Sequence, residues 1–167
     1  TATGSLPTDL CVMTLGAQSP VLSRTLGFRL PIYPLKGYSL TLPPRPEGAS
    51  LGISITDATR KVVYAPLADA SKISLRVAGM ADISGYSNRI DPVRVKQLFL
   101  EAGRALPAAT DYAPGADAMQ PWTGLRPATP KGMPILGASP LPNLFLNCGH
   151  GALGWTLALG SARILAD

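Results

Sequence analysis

A chain of 167 residues can bury one ordinary core, and nothing in its composition argues for a second independent unit or a low-complexity tail. Its 15 basic and 10 acidic residues give a formal charge of +5, spread singly or in pairs as at Arg60 and Lys61, which excludes the dense basic tract of a nucleic-acid surface. Seventeen glycines and 17 prolines, about a fifth of the chain against an average near 12%, predict frequent turns and a sheet-rich fold with a few helices.

Residues 9–16, DLCVMTLG, form a short apolar run closed by glycine, the pattern of a strand buried on both faces. A short helical piece follows at 20–27, and then a strand at 35–42 with prolines at its ends. Residues 51–67 read as a hairpin turning at DATR, and 71–84 as a strand with a bend or break at Gly79. The clearest helix is 91–107: Asp91 caps it, Pro92 suits its first turn, and Val95, Leu98, Phe99 and Ala102 share the face that lies on a sheet. Residues 119–151 give two short strands with a turn-rich connection. The last helix, 153–167, is apolar nearly all round, the pattern of a buried helix, and so calls for partners beyond those this chain supplies.

Cys11 and Cys148 lie far apart inside apolar runs, without metal-ligand spacing to the single histidine, so they read as buried thiols of a reducing compartment and not as a zinc site. No segment reaches the ~20 apolar residues that span a bilayer. The expected location is cytoplasmic, with a peripheral contact to the cytoplasmic membrane left open.

Two segments carry chemical signals. In GHGALG, residues 149–154, Gly149, Gly151 and Gly154 strip Cβ atoms from the entry to a helix, whose first-turn N–H groups attract an anion or an electron-rich carbonyl. A tight turn is the plain alternative. In WTGLRPATPKGMPILG, residues 122–137, Arg126 stands among apolar and turn residues, where a guanidinium needs a carboxylate or phosphate. An ordinary structural ion pair is the alternative there.

These two segments, with residues 14–43 and 76–95, resemble in order the C-terminal end of the FAD-dependent D-amino-acid oxidase superfamily, and most of all its bacterial D-amino-acid dehydrogenases. The resemblance implies an α+β fold: a mixed, mainly antiparallel sheet flanked by helices, plus leftover pieces of a Rossmann-type FAD domain. The expected divisions are a remnant of the FAD domain at 1–30, a substrate domain at 31–127, and a return segment with a flavin-contacting helix at 128–167. It further implies oxidative deamination of D-amino acids to 2-oxo acids and ammonium. Arg126 would bind the substrate α-carboxylate. Tyr38, from the KGYSL strand, and Met80 and Tyr86 would line the pocket, with core packing as the alternative for each and a solvated Lys36 beside Tyr38.

On the cofactor side the resemblance implies Gly16 at the end of a nucleotide-domain strand. It also implies the backbone of Gly149, His150, Gly151, Ala152, Leu153, Gly154, Trp155 and Thr156 along the pyrimidine edge of the flavin. His150 takes either a polar role there or a satisfied position in the turn. Trp122 and Trp155 read as core aromatics near the site, and no residue is assigned as a catalytic base or metal ligand. Cys148 and Ala152 stand where close relatives commonly carry threonine. No strand followed by G-x-G-x-x-G occurs in the chain. The expectation is therefore a C-terminal fragment, inactive alone, that exposes the helix face of 149–167 and the strand at 9–15 where a covering N-terminal half would lie. Its expected partners are a D-amino acid, that FAD-binding half and a respiratory electron acceptor at the membrane. An amine oxidase acting on glycine or sarcosine, and a cofactor-free binding module, are the rival readings.

Overall fold

The computed structural model describes residues 4–43, 51–68, 73–115 and 119–167, and the chain divides into two compact units, 1–35 with 126–167, and 36–125. The first holds β1 (Cys11–Met13), a 3-10 turn (Gly16–Gln18), α1 (Ser19–Thr25), β7 (Ile135–Ala138), β8 (Leu144–Cys148) and α3 (Gly154–Ala166). The second holds β3 (Ile55–Asp57), β4 (Val62–Ala68), β5 (Ile73–Ile83) and α2 (Pro92–Ala105), while β2 (Tyr33–Leu42) and β6 (Gln120–Ala128) run across the division.

In the first unit the sheet order is β1-β8-β7. β1 runs parallel to β8, with Met13 opposite Leu146, and β7 runs antiparallel to it, with Ile135 opposite Cys148. Met13, Ile32, Leu146 and Cys148 form its core, with Phe28, Leu30, Ile135 and Leu144 packed around them. A parallel strand of three residues at the edge of a sheet has one neighbour, so much of its surface stays open.

The second unit carries five strands in the order β3-β4-β5-β2-β6. β3 and β4 form the expected hairpin: the Asp57 carboxylate accepts the Arg60 backbone N–H at 2.8 Å and its guanidinium at 2.9 Å, which closes the DATR turn. Alternate residues of three strands, Tyr38, Leu40 and Leu42, Val62 and Tyr64, Leu75 and Val77, pack one sheet face against Val95, Leu98 and Ala102 of α2. Asp91 caps this helix, its side chain accepting the Val93 N–H at 2.9 Å. Phe99 meets the Tyr112 ring edge-to-face at 5.4 Å, and burial pushes the Tyr112 phenol up to about 12. The fold is thus a mixed α+β arrangement of mostly antiparallel sheets, with three α-helices among the described residues.

The structure corrects several expectations. β5 passes through Gly79 without a break, and the left-handed residue is Met80, at φ +65°. Gly79 answers a different demand, since a Cβ there would stand 3.0 Å from Val62 Cγ2. Ser71 and Lys72, expected at the start of that strand, lie outside the described residues. Between residues 119 and 151 there are three strands, not two.

Burial divides the expectations. Val12 and most of α3 are exposed, as expected of the strand at 9–15 and the last helix on the chain alone, whereas Cys11, expected as a buried thiol, is exposed. Trp155 is 96% exposed and Trp122 57%, so neither is a core aromatic. Lys36 is buried instead of solvated: it alternates in register with Tyr38 and Leu40, and its ammonium donates to the Arg89 carbonyl at 3.0 Å over the Tyr38 ring. No helix among the described residues is long and apolar enough to cross a membrane.

Two measurements check this arrangement on the 167-residue chain. Leu98→Ala empties a fully buried position and should cost about 2–5 kcal/mol in urea unfolding, whereas Leu100→Ala, at an exposed position on the same helix, should cost under about 1 kcal/mol. Thiol alkylation under native conditions should modify Cys11 rapidly and Cys148 only on unfolding, because Cys148 is buried and that burial pushes its thiol up.

Candidate functional site

In the first unit, three stretches remote in sequence converge on Pro127. Its carbonyl accepts the Gly151 N–H at 2.9 Å, and its Cγ lies 4.0 Å from where a Cβ on Gly16 would stand. Gly16, Gly149 and Gly151 all occupy the left-handed region, at φ +54°, +78° and +57°. The need is strictest at Gly149, where a Cβ would come within 2.8 Å of Thr129 Cγ2 and 3.5 Å of Ile32 Cδ1. Local sequence therefore sets the turn, and the turn sets where α3 begins.

That beginning is electrostatically unfinished. The N-cap of α3 is Leu153, which offers no capping side chain, and no acidic residue occupies the first turn. The N–H groups of Gly154, Trp155 and Thr156 therefore have no side-chain cap and keep the partial positive charge of a helix N-terminus. Gly151 leaves open space around its Cα, and a Cβ on Gly154 would meet only the His150 Cβ, at 3.6 Å. Ala152 and Leu153 are exposed, and His150 is half-buried with its Nε2 enclosed and without a hydrogen-bond partner among the described residues. Arg126, next to Pro127, is half-buried; desolvation pushes its guanidinium below the ordinary range, and it remains a cation at neutral pH.

A fixed cation, uncapped backbone donors and an enclosed imidazole nitrogen suit an electron-rich, partly anionic ligand approached through a bare backbone. A flavin has that character at its pyrimidine edge, so the residues present fit the cofactor that the sequence implies. One feature escaped sequence reasoning. Asn147 Oδ1 is also enclosed without a partner among the described residues, and Asn147 helps line a cavity of about 440 Å3 together with Leu10, Val12 and Phe145 and with Ala162 and Leu165 of α3. The signal available was an asparagine inside the apolar run LFLNC.

The other expected site residues belong to the second unit. Tyr38 is 2% exposed and sits in its core, and Met80 packs against that core from its left-handed position. Tyr86 is 39% exposed.

The whole chain, residues 1–167, matches the family described as FAD dependent oxidoreductase, DAO. The chain belongs to this family. It is 46% identical over 167 residues to a D-amino acid dehydrogenase of Paramagnetospirillum magneticum, covering 100% of this chain and 38% of that protein. It is also 48% identical over 172 residues to D-amino acid dehydrogenase 2 of Ralstonia nicotianae, covering 100% of this chain and 39% of that protein. The chain thus spans well under half the length of these DAO relatives.

Among solved structures it is similar to iminodiacetate oxidase from Chelativorans sp. BNC1, with a TM-score of 0.74 and 29% identity over 96% of this chain and 42% of that one. A glycine oxidase from Bacillus cereus shares the fold, with a TM-score of 0.77 at 20% identity over 99% of this chain and 44% of that one.

The geometry of the turn makes a graded expectation for this DAO-family chain. Gly149→Ala should cost about 1–3 kcal/mol in urea unfolding, from left-handed strain and the Thr129 contact, and Thr129→Ser should recover the steric part. Gly151→Ala, with open space around it, should lose only the conformational part, about 1–2 kcal/mol.

Proposed function

We propose that the chain forms the substrate-binding side of an FAD-dependent D-amino-acid dehydrogenase. The enzyme would oxidise the Cα–N bond of a D-amino acid to an imino acid, which water hydrolyses to the 2-oxo acid and ammonium. The observation that carries this reading is the meeting, around Pro127, of the Arg126 strand with an uncapped, glycine-lined helix N-terminus in a DAO-family chain. FAD, when bound, supplies the two-electron acceptor for the α-hydrogen.

Within this reading each residue has a distinct task. Arg126 holds the α-carboxylate through its planar fork, which orients the substrate before any bond changes. Gly16, Gly149, Gly151 and Gly154 keep side chains out of the cofactor's place. The N–H groups of Gly154, Trp155 and Thr156 favour negative charge near them, with the His150 imidazole as a further polar contact and Ala152 and Leu153 completing the surface. Tyr86, 39% exposed, has ring surface to offer a substrate, and Tyr38 and Met80, in and against the second unit's core, act through packing. An FAD-binding half supplied by the rest of the polypeptide completes the cofactor site. Electrons leave to a respiratory acceptor at the cytoplasmic membrane, where the protein is peripheral.

The 29% identity to a structure named iminodiacetate oxidase favours a second reading, oxidation of a secondary amine or glycine with oxygen as acceptor. One experiment separates the two. The protein, expressed with the rest of its coding region, should show a flavin spectrum that bleaches anaerobically with D-alanine and not with L-alanine. Arg126→Ala should raise the KM for D-alanine about 10–100-fold, the loss of one charged carboxylate contact. Bleaching by glycine, sarcosine or iminodiacetate alone would replace the first reading with the second, and a colourless protein would overturn both.

A further inference from the structure

On the second unit's sheet, the face turned away from α2 carries a cation that the proposed chemistry does not use. Arg76 of β5 alternates with the buried Leu75 and Val77, so its side chain leaves the opposite face. There the guanidinium donates to the Ser39 hydroxyl of β2 at 3.1 Å and lies 5.6 Å from the centre of the Trp122 ring of β6. β5, β2 and β6 are neighbours in that order, so the three side chains form a row across the sheet.

The row is built, not incidental. A Cβ on Gly124 would stand 2.2 Å from the Trp122 ring, so the indole lies flat on its own strand only because residue 124 is glycine. Thr123, between them, donates to the Gly37 carbonyl at 2.8 Å and ties this part of β6 to β2. Ser39 is 3% exposed and Arg76 is half-buried, whereas Trp122 is 57% exposed, so the platform is reached from its aromatic side.

The described ion pairs engage Arg60, Arg94, Arg104 and Arg163, and no carboxylate among the described residues pairs with Arg76. A guanidinium has five donors in a planar fork, and among the described residues one neutral hydroxyl and one ring face meet it. The donors left over match a carboxylate, and the exposed indole beside them matches the short carbon chain that bears it.

We infer that Arg76, Ser39 and Trp122 form a carboxylate-binding site within the second unit, one that takes the carboxylate of a short aliphatic acid with its carbon chain against the indole. This rests on the geometry of β5, β2 and β6 and not on the function proposed above.

The test is calorimetric titration of the full-length protein with glutarate. Arg76→Met should weaken binding about 10–100-fold, the scale of one charged carboxylate contact. Arg76→Lys, which keeps the charge and loses the fork, should fall between wild type and Arg76→Met. Arg126→Ala should leave this binding in place. No heat with the wild type, or binding that Arg126→Ala abolishes and Arg76→Met leaves unchanged, overturns the assignment.

Discussion

The hydrogen bond from the Gly151 N–H to the Pro127 carbonyl, 2.9 Å long, governs the geometry of the first unit's candidate site. It joins the turn after β8 to the end of β6, and so fixes the start of α3 against the residue that follows Arg126. The turn can reach that carbonyl only because Gly149 and Gly151 enter the left-handed region, and Gly149 has room for nothing larger than hydrogen beside Thr129. Once Gly151 is engaged in this way, the donors of Gly154, Trp155 and Thr156 are the ones left for a ligand. A loop of ordinary residues would bring the helix start to the same region without holding its backbone in one orientation.

This arrangement works against its own stability, in a manner expected of a binding site. A helix N-terminus without an acidic or capping residue forgoes about 0.3–1 kcal/mol of dipole stabilisation and about 1 kcal/mol of capping. Enclosing His150 Nε2 without a partner among the described residues costs about 1–3 kcal/mol. Arg126 adds a desolvated cation to the same unit. An electron-rich group placed at the turn would satisfy the uncapped donors, and for this reason the turn reads as a candidate site.

Features with a local cause were legible in the sequence. α2 follows from a 3.6-residue apolar period and an Asp-Pro start, and the β3–β4 hairpin from a turn whose aspartate closes it. The candidate site was legible as motifs, since left-handed glycines and a lone arginine leave marks in the chain. Burial was less so. Apolarity states that a surface needs covering, not that this chain covers it, and Val12, Trp155 and Leu159 remain exposed. Lys36 shows the opposite error: its charge suggested solvent, whereas its parity with Tyr38, Leu40 and Leu42 placed it inward, at a carbonyl and a ring that could hold an ammonium.

The stretch WTGLR shows why a motif can be recognised before all of it is understood. Its arginine explains itself, because a half-buried guanidinium demands an anion. The tryptophan reads as a core aromatic until the strand is laid flat, when alternation brings positions 122 and 124 to one face and the bare backbone of Gly124 becomes the bed for the indole. Arg76, which lies over that ring, comes from β5 with β2 between them, a distance no local pattern could bridge. Two constraints therefore overlap within five residues, one on the cation and one on the platform. Their overlap gives the stretch more specificity as a sequence signal than either constraint would carry alone.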